Sequence, residues 1–141
     1  MSCSIRVIAL AIIRRPESGE LLVFEGKDPG RELTYHRPLG GGVEFGELGA
    51  ETVRRELREE IGVEIEVGRQ LAFFESIFEF NGDPKHEIVF AYECAFADPG
   101  LYGCDRFEDL EGRGEDGIWR PLDDPTLLVP EPLTELLRSS A

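Results

Sequence analysis

The fold is constrained most by one amphipathic helix, which the sequence places in the middle of the chain at residues 50–61. Its apolar residues recur at helical spacing and form one stripe made of Ala50, Val53, Leu57 and Ile61. Glu51 lies in the first turn, where a negative charge is favourable to the helix dipole. Gly62 follows the stripe directly and is a typical residue at which a helix ends. Such a helix has to bury its stripe against other elements of the same domain.

The segments around this helix have the patterns of strands, and a shorter helix is expected near the end of the chain. Strands are predicted at residues 4–13, 20–24, 63–67, 71–80, 87–96 and 117–121, a short extended stretch at 35–39, and the second helix at 130–139. The first two strands flank a turn and are predicted to form a hairpin, whereas residues 99–116 are predicted to be a loop. This order predicts an α+β fold with a mixed sheet between two helices.

The length and charge of the chain restrict the classes of function open to it. Its 141 residues are one domain's worth of sequence, so a single domain over residues 1–141 is expected. The formal net charge of −14 argues against binding of a nucleic-acid duplex, because that affinity comes from Lys and Arg. The same charge is compatible with a small phosphate substrate if metal cations supply the missing positive charge.

Cysteine usage and hydropathy indicate the compartment. The three Cys residues form no CxxC pair, which suits a reducing cytosol better than a disulfide scaffold. The apolar run at 7–13 is too short to span a bilayer, and no cleavage pattern follows it. A cytoplasmic protein with no membrane partner is therefore expected, and whether it forms a homodimer stays open.

Three carboxylates of the central helix lie where local rules disfavour them. Glu56, Glu59 and Glu60 fall within an arc of roughly 100° that adjoins the apolar stripe. Glu56 and Glu60 are a like-charge pair one turn apart, and Glu59 and Glu60 lie at the negative end of the helix dipole. A solvated acidic face is the ordinary explanation in so acidic a chain. A bound divalent cation removes all of these objections, and an oxygen-only ligand set favours Mg²⁺ or Mn²⁺.

The segment before the helix supports a bound divalent cation over a solvated acidic face. Three consecutive glycines permit backbone conformations closed to other residues and let a ligand or a metal approach the main chain: Gly40, Gly41 and Gly42. Glu47 can fold back toward the carboxylate face. Arg55 can pair with Glu59 and with Glu51, and so hold the acidic cluster in shape.

The spacing of these residues resembles the Nudix box at every defined position. The pattern is Gly41, five residues, Glu47, seven residues, Arg55-Glu56-Leu57, one residue, Glu59-Glu60, one residue and Gly62-Val63. So many positions at fixed spacing make the resemblance specific. One departure is Leu39, where many members of the family have Pro before the first Gly. The order of strands on either side is also similar to the α/β/α sandwich of the family.

The resemblance implies hydrolysis of a nucleoside diphosphate linked to another moiety, by attack of water on phosphorus, with Mg²⁺ as the cofactor and Mn²⁺ as a substitute. It assigns metal ligation to Glu56, Glu59, Glu60 and the carbonyl of Gly40, a substrate contact to Gly41 and Gly42, support of the metal or its water to Glu47, and an orienting role to Arg55.

Two questions stay open at this stage. The base is Glu56 or an acid of the loop at 99–116, where Glu115 is favoured ahead of Glu111 and Asp116. The rival function is a catalytically silent Nudix module that binds a nucleotide or a protein. Such a module is expected to have lost carboxylates from the box, and this chain retains them. The substrate itself is not fixed by the sequence, and nucleoside triphosphates and nucleotide sugars are both compatible with it.

Overall fold

A computed structural model describes residues 3–139, so residues 1–2 and 140–141 of the predicted domain lie outside it. In chain order the elements are β1 (Ile5–Ile13), β2 (Leu21–Asp28), β3 (Leu33–Pro38), β4 (Gly40–Gly42), α1 (Gly49–Ile61), β5 (Ile65–Phe80), β6 (Asp83–Phe96), β7 (Arg106–Phe107), β8 (Gly117–Arg120), β9 (Leu127–Leu128) and α2 (Pro132–Ser139). In the described part, neither helix has the length and apolar character needed to cross a membrane.

The strands form two mixed sheets. One sheet has the order β4-β1-β6-β5, in which β1 and β6 run parallel. The other has the order β7-β8-β2-β3-β9, in which β3 and β9 run parallel. The predicted α+β class is confirmed, and the layer between the two helices consists of two sheets.

The layering follows from β1, which is buried on both faces as its apolar run predicts. One face packs with the apolar stripe of α1 in a core that includes Ala9, Ala11, Ile13, Val53, Leu57 and Ile61. The other face packs toward α2 in a second core that includes Ile8, Leu10, Ile12, Leu128 and Leu133. Each large aliphatic side chain buried in this way contributes roughly 1.5–3 kcal/mol. β1 therefore fixes α1 on one side of the sheets and α2 on the other.

The structure corrects three details of the predicted strands. The hairpin of the first two strands is wrong, because β1 lies between β4 and β6 whereas β2 belongs to the other sheet, and a single bridge from Arg14 to Leu21 links them. The strands predicted at 63–67 and 71–80 are one strand, β5, interrupted by bulges around Gln70. The loop at 99–116 contains a 3₁₀ turn at Pro99–Gly103 and the short strand β7.

Candidate functional site

The strand β4 lies directly against the carboxylate face of α1. It pairs with β1 through Ala9 and Leu10, and each of its glycines contacts a different side chain of the helix. The N–H of Gly40 donates to Glu60 Oε1 (3.1 Å), and the carbonyl of Gly42 accepts from Arg55 Nη2 (3.0 Å). Gly41 faces Glu56 so closely that a Cβ at this position would lie 2.5 Å from the carboxylate carbon. At Gly41 a side chain would therefore compete with Glu56 for space, whereas at Gly40 it would meet the backbone of β1 at Ala9 and Leu10.

The guanidinium of Arg55 joins both sides of this contact. It donates to both oxygens of Glu47 (2.8 and 2.9 Å), to Glu56 Oε1 (2.8 Å) and to Glu59 Oε2 (3.2 Å). These hydrogen bonds lower the pKa of Glu47 to about 2 and raise the pKa of Arg55. Glu47 thus folds back as predicted, and the predicted pair of Arg55 with Glu59 is present. The second predicted partner is wrong, because Glu51 instead accepts the N–H of Leu48 (2.9 Å) at the start of α1.

The three helical carboxylates, called here the carboxylate cluster (Glu56, Glu59 and Glu60), differ in exposure. The side chain of Glu59 is 47% exposed, that of Glu56 15% and that of Glu60 3%. Burial, followed by the charge of Glu56, raises the pKa of Glu60 to about 8. Burial also raises the pKa of Glu56, against the lowering effect of Arg55. The two inner carboxyls are therefore short of positive charge.

The chemistry of this cluster fits a hard divalent cation. Its side-chain donors are oxygens alone, which suit Mg²⁺ and Mn²⁺. Gly41 keeps the space beside Glu56 free of a Cβ. Within residues 3–139, no three His, Cys, Asp or Glu side chains are close enough together to hold a metal as they stand. Ligation would therefore require carboxylate rotations, which the hydrogen bonds of Arg55 restrict on one side of the cluster.

The late loop, residues 108–116, contacts the cluster from the other side. The N–H of Leu110 donates to the carbonyl of Glu60 (2.9 Å), which docks the loop on the C-terminal end of α1. Arg113 Nη2 lies 2.6 Å from Glu111 Oε1 and 3.4 Å from Glu60 Oε2. The loop acid joined to the cluster is thus Glu111, whose charge also contributes to the raised pKa of Glu56.

The other two acids of the late loop that the sequence singled out have different surroundings. Burial and, next, the charge of Glu115 raise the pKa of the Tyr35 phenol, so Glu115 acts electrostatically on a side chain of β3. Asp116 accepts the N–H of Asp109 (3.0 Å) and contacts Arg106 at 3.4 Å, so its carboxylate shapes the loop. The structure brings Glu111 to the cluster and uses Asp116 within the loop.

A cavity of about 720 Å³ has walls from β3, β5, β6 and the segment that precedes α2. The cationic side chains of its described wall are Arg6, Arg31, Arg37 and Lys85, and the aromatic ones are Tyr35, Phe78 and Phe80. Arg6 connects the cavity to β4, since its Nη2 would lie 3.0 Å from a Cβ on Gly42. Arg37 acts electrostatically on Glu60. Arg6 and Arg37 are therefore the residues of the cavity wall that link it to β4 and to the carboxylate cluster.

Comparison with known proteins identifies this arrangement. The NUDIX domain matches residues 5–136, which is nearly the whole chain. The chain belongs to the NUDIX family. A comparison with curated protein sequences finds no significant match.

Solved Nudix structures share the fold at low sequence identity. The MutT NUDIX hydrolase from Burkholderia pseudomallei is 24% identical with a TM-score of 0.65, covering 96% of this chain and 98% of that one. The E. coli ORF135 protein is 22% identical with a TM-score of 0.63, covering 96% and 90%. A UDP-X diphosphatase is 18% identical with a TM-score of 0.66, covering 99% of this chain and 64% of that one. At these identities the similarity establishes the fold.

Sequence reasoning missed three cations around the Nudix box. Arg113, from the late loop, contacts Glu60; Arg6, from β1, lies beside Gly42; and Arg37, from β3, acts electrostatically on Glu60. The chain has 15 Lys and Arg against 29 Asp and Glu, so a cation close to an apolar strand was a signal that could have pointed to these arginines. Their convergence, however, depends on the pairing of strands that are distant in the sequence.

Proposed function

We propose that this Nudix domain hydrolyses a nucleoside diphosphate linked to another moiety and depends on Mg²⁺, with Mn²⁺ as a substitute. The observation that carries the proposal is the pair of inner carboxyls, Glu56 and Glu60, which lie against β4 with their pKa values raised. Two acids buried together without enough positive charge are unfavourable in a purely structural role. A divalent cation relieves that penalty and brings the phosphates of a substrate to the same place.

Each residue of the site has a proposed task. Glu56, Glu59, Glu60 and the carbonyl of Gly40 would hold the cation, and the chemistry it would supply is neutralisation of the diphosphate and activation of water. Arg55 and Glu47 orient the ligands through their hydrogen bonds. Gly41 and Gly42 present bare backbone to the substrate. Water would attack phosphorus in line with the leaving oxygen, the bond from phosphorus to that oxygen would break, and a carboxylate would accept the proton of the water.

The cavity is proposed to hold the organic part of the substrate. A volume of about 720 Å³ is within the range of small-molecule sites. Tyr35, Phe78 and Phe80 supply faces on which a base or sugar can pack. Arg6 and Arg37 lie on the side toward the cluster, where a diphosphate would lie, and guanidinium groups pair well with phosphate oxygens.

The proposal also includes one domain over residues 1–141, a cytoplasmic location, and neither a nucleic-acid duplex nor a membrane as partner. The cysteines support the location. Cys3, Cys94 and Cys104 are free thiols, and burial raises the pKa of Cys94 to about 12, which makes it unreactive. Fractionation of cells that express the chain would place it in a soluble cytosolic fraction if this part of the proposal holds.

The first experiment is a hydrolysis panel followed by ³¹P NMR. Nucleoside triphosphates, nucleotide sugars and dinucleotide diphosphates are incubated with Mg²⁺, and hits are repeated in H₂¹⁸O to locate the attacked phosphorus. Glu59→Gln and Glu60→Gln are expected to lower kcat/KM by about 10³-fold or more, whereas Glu64→Gln, an exposed carboxylate just past α1, leaves it unchanged. Absence of hydrolysis throughout the panel with any divalent metal would favour a silent binding module.

The proton acceptor is tested by comparing two loop acids. We propose Glu111 ahead of Glu115, because Arg113 joins Glu111 to the carboxylate cluster. Glu111→Gln is then expected to lower kcat by about 10²-fold or more and to flatten the acid limb of the pH–rate profile, with less than about tenfold loss for Glu115→Gln. The reverse ranking would return the role to Glu115, and two small losses would assign it to Glu56.

A further inference from the structure

The late loop has a fixed backbone and one cationic arm that reaches the carboxylate cluster. The carboxylate of Asp109 accepts the N–H groups of Glu111 (2.9 Å), Arg113 (2.6 Å) and Glu115 (3.2 Å). Those hydrogen bonds lower the pKa of Asp109 and keep the loop closed around it. The arm is the side chain of Arg113. Its backbone is held by Asp109, and a substitution of Arg113 would leave that backbone contact in place.

The contact of Arg113 with Glu60 is direct but weak. Its distance of 3.4 Å exceeds the roughly 2.7–2.9 Å of a strong charge-assisted hydrogen bond. The Arg113 side chain is 54% exposed and that of Glu60 is 3% exposed, so the guanidinium reaches the buried carboxyl from the solvent side. The contact with Glu111, at 2.6 Å, is much closer. Arg113 is thus anchored at the loop and only loosely held at the cluster.

The oxygen that Arg113 contacts is the one a cation from solvent would approach. Glu60 Oε1 accepts the N–H of Gly40, which leaves Oε2 on the side of the late loop. A guanidinium and a divalent cation repel each other, so the two compete for that oxygen. A weakly held single charge is also expected to yield to a double charge.

We propose that Arg113 covers Glu60 Oε2 while the protein is free of metal, and that it turns to the phosphates of the substrate once a divalent cation takes that oxygen. The inference rests on the metal-dependent hydrolysis proposed above. It makes Arg113 both a competitor of the metal and a phosphate-binding residue. The contact with Glu111 keeps the guanidinium at the site during the exchange. A diphosphate then replaces Glu60 as the anionic partner of the guanidinium.

The test combines metal binding with steady-state kinetics. The concentration of free Mn²⁺ is measured from its EPR signal in titrations of the wild type, Arg113→Ala and Arg106→Ala. Arg106 is the matched control, because its side chain is also exposed and its ion pair with Asp116 is also 3.4 Å long. Arg113→Ala is expected to bind Mn²⁺ roughly three- to tenfold more tightly, and to raise the KM of a substrate found by the panel by a similar factor. Arg106→Ala is expected to change neither value.

Each outcome of these measurements tests a different part of the proposal for Arg113. Unchanged or weaker Mn²⁺ binding by Arg113→Ala would overturn the competition, and tighter binding with an unchanged KM would overturn the contact with phosphate. Equal effects of both substitutions would show a general loss of positive charge in place of a specific exchange. If the wild type binds no Mn²⁺, or binds it as well after Glu59→Gln and Glu60→Gln, the failure belongs to the proposed function. Matching thermal unfolding of all variants shows that the fold is intact.

Discussion

The two arginines that contact the carboxylate cluster are held in very different ways. The Arg55 side chain is 22% exposed and makes five hydrogen bonds of 2.8–3.2 Å to Glu47, Glu56, Glu59 and Gly42. The Arg113 side chain is 54% exposed and reaches Glu60 at 3.4 Å. The side formed by Arg55 is therefore tightly held, and we call it the fixed wall. The side formed by Arg113 is held by one longer contact, and we call it the movable wall. In the function proposed above, this difference would keep the carboxylates in place while leaving one approach open to a cation and a substrate.

Among the changes that compare the two walls, the largest effect is expected at the glycine that packs on the fixed wall. Gly41→Ala puts a methyl group 2.5 Å from the carboxylate carbon of Glu56, so that carboxylate has to swing away. We expect kcat/KM to fall by about 10²-fold, because displacing a ligand by about 1 Å is enough for such a loss. Gly103→Ala is the control, since a Cβ there meets nothing within 4 Å. Activity within threefold of the wild type would show that the close contact is not needed.

Removal of the fixed wall itself should be visible in the stability. Arg55→Ala leaves Glu47 and Glu56 without their cation, and we expect the free energy of unfolding to fall by about 2 kcal/mol, less than for a fully buried pair. Urea unfolding in EDTA measures it. Arg58→Ala, which removes an exposed pair with Glu64, should have a much smaller effect. Equal effects would mean that Arg55 is not a structural part of the site.

The pH dependence of stability tests the buried acid between the two walls. The pKa of Glu60 is raised to about 8 in the folded protein, from 4.5. The folded state therefore binds more protons between these values, and stability in EDTA falls as pH rises from about 5 to 8. Glu60→Gln should remove this fall and stabilise the metal-free protein at pH 8 by about 1–2 kcal/mol. Glu64→Gln should not, because Arg58 lowers the pKa of Glu64 below this window. A wild-type curve that is flat or rising would contradict the prediction.

The smallest effect is expected in the late loop, which carries the movable wall. Asp109→Ala deprives the N–H groups of Glu111, Arg113 and Glu115 of their acceptor. Hydrogen exchange at these three amides should become faster, while the amides of α1 keep their rates because the helix is held by its own core. If exchange in α1 speeds up equally, the late loop and the helix form one cooperative unit, and the contrast between the walls disappears.

The helix and its glycines could be predicted because their signals are local. The positions of Val53, Leu57 and Ile61 follow from helical spacing, and all three are buried in the first core. The fold-back of Glu47 onto Arg55 spans only eight residues. The hairpin of β1 and β2 failed for the opposite reason. A turn between two apolar runs does not reveal that β1 is a central strand whose better partner, β6, lies more than seventy residues further on.

The sequence by itself determined the α+β class, the family and the order of acids along one helix, since these depend on residue types at short, fixed spacings. Only the tertiary structure decided that Arg113 links Glu111 to the cluster, that Arg6 lies beside Gly42 and that Arg37 acts electrostatically on Glu60. The depth of burial that raises the pKa of Glu60 was also decided there. These properties depend on strand order and on the docking of a loop onto a helix end, which are set by contacts between residues far apart in the chain.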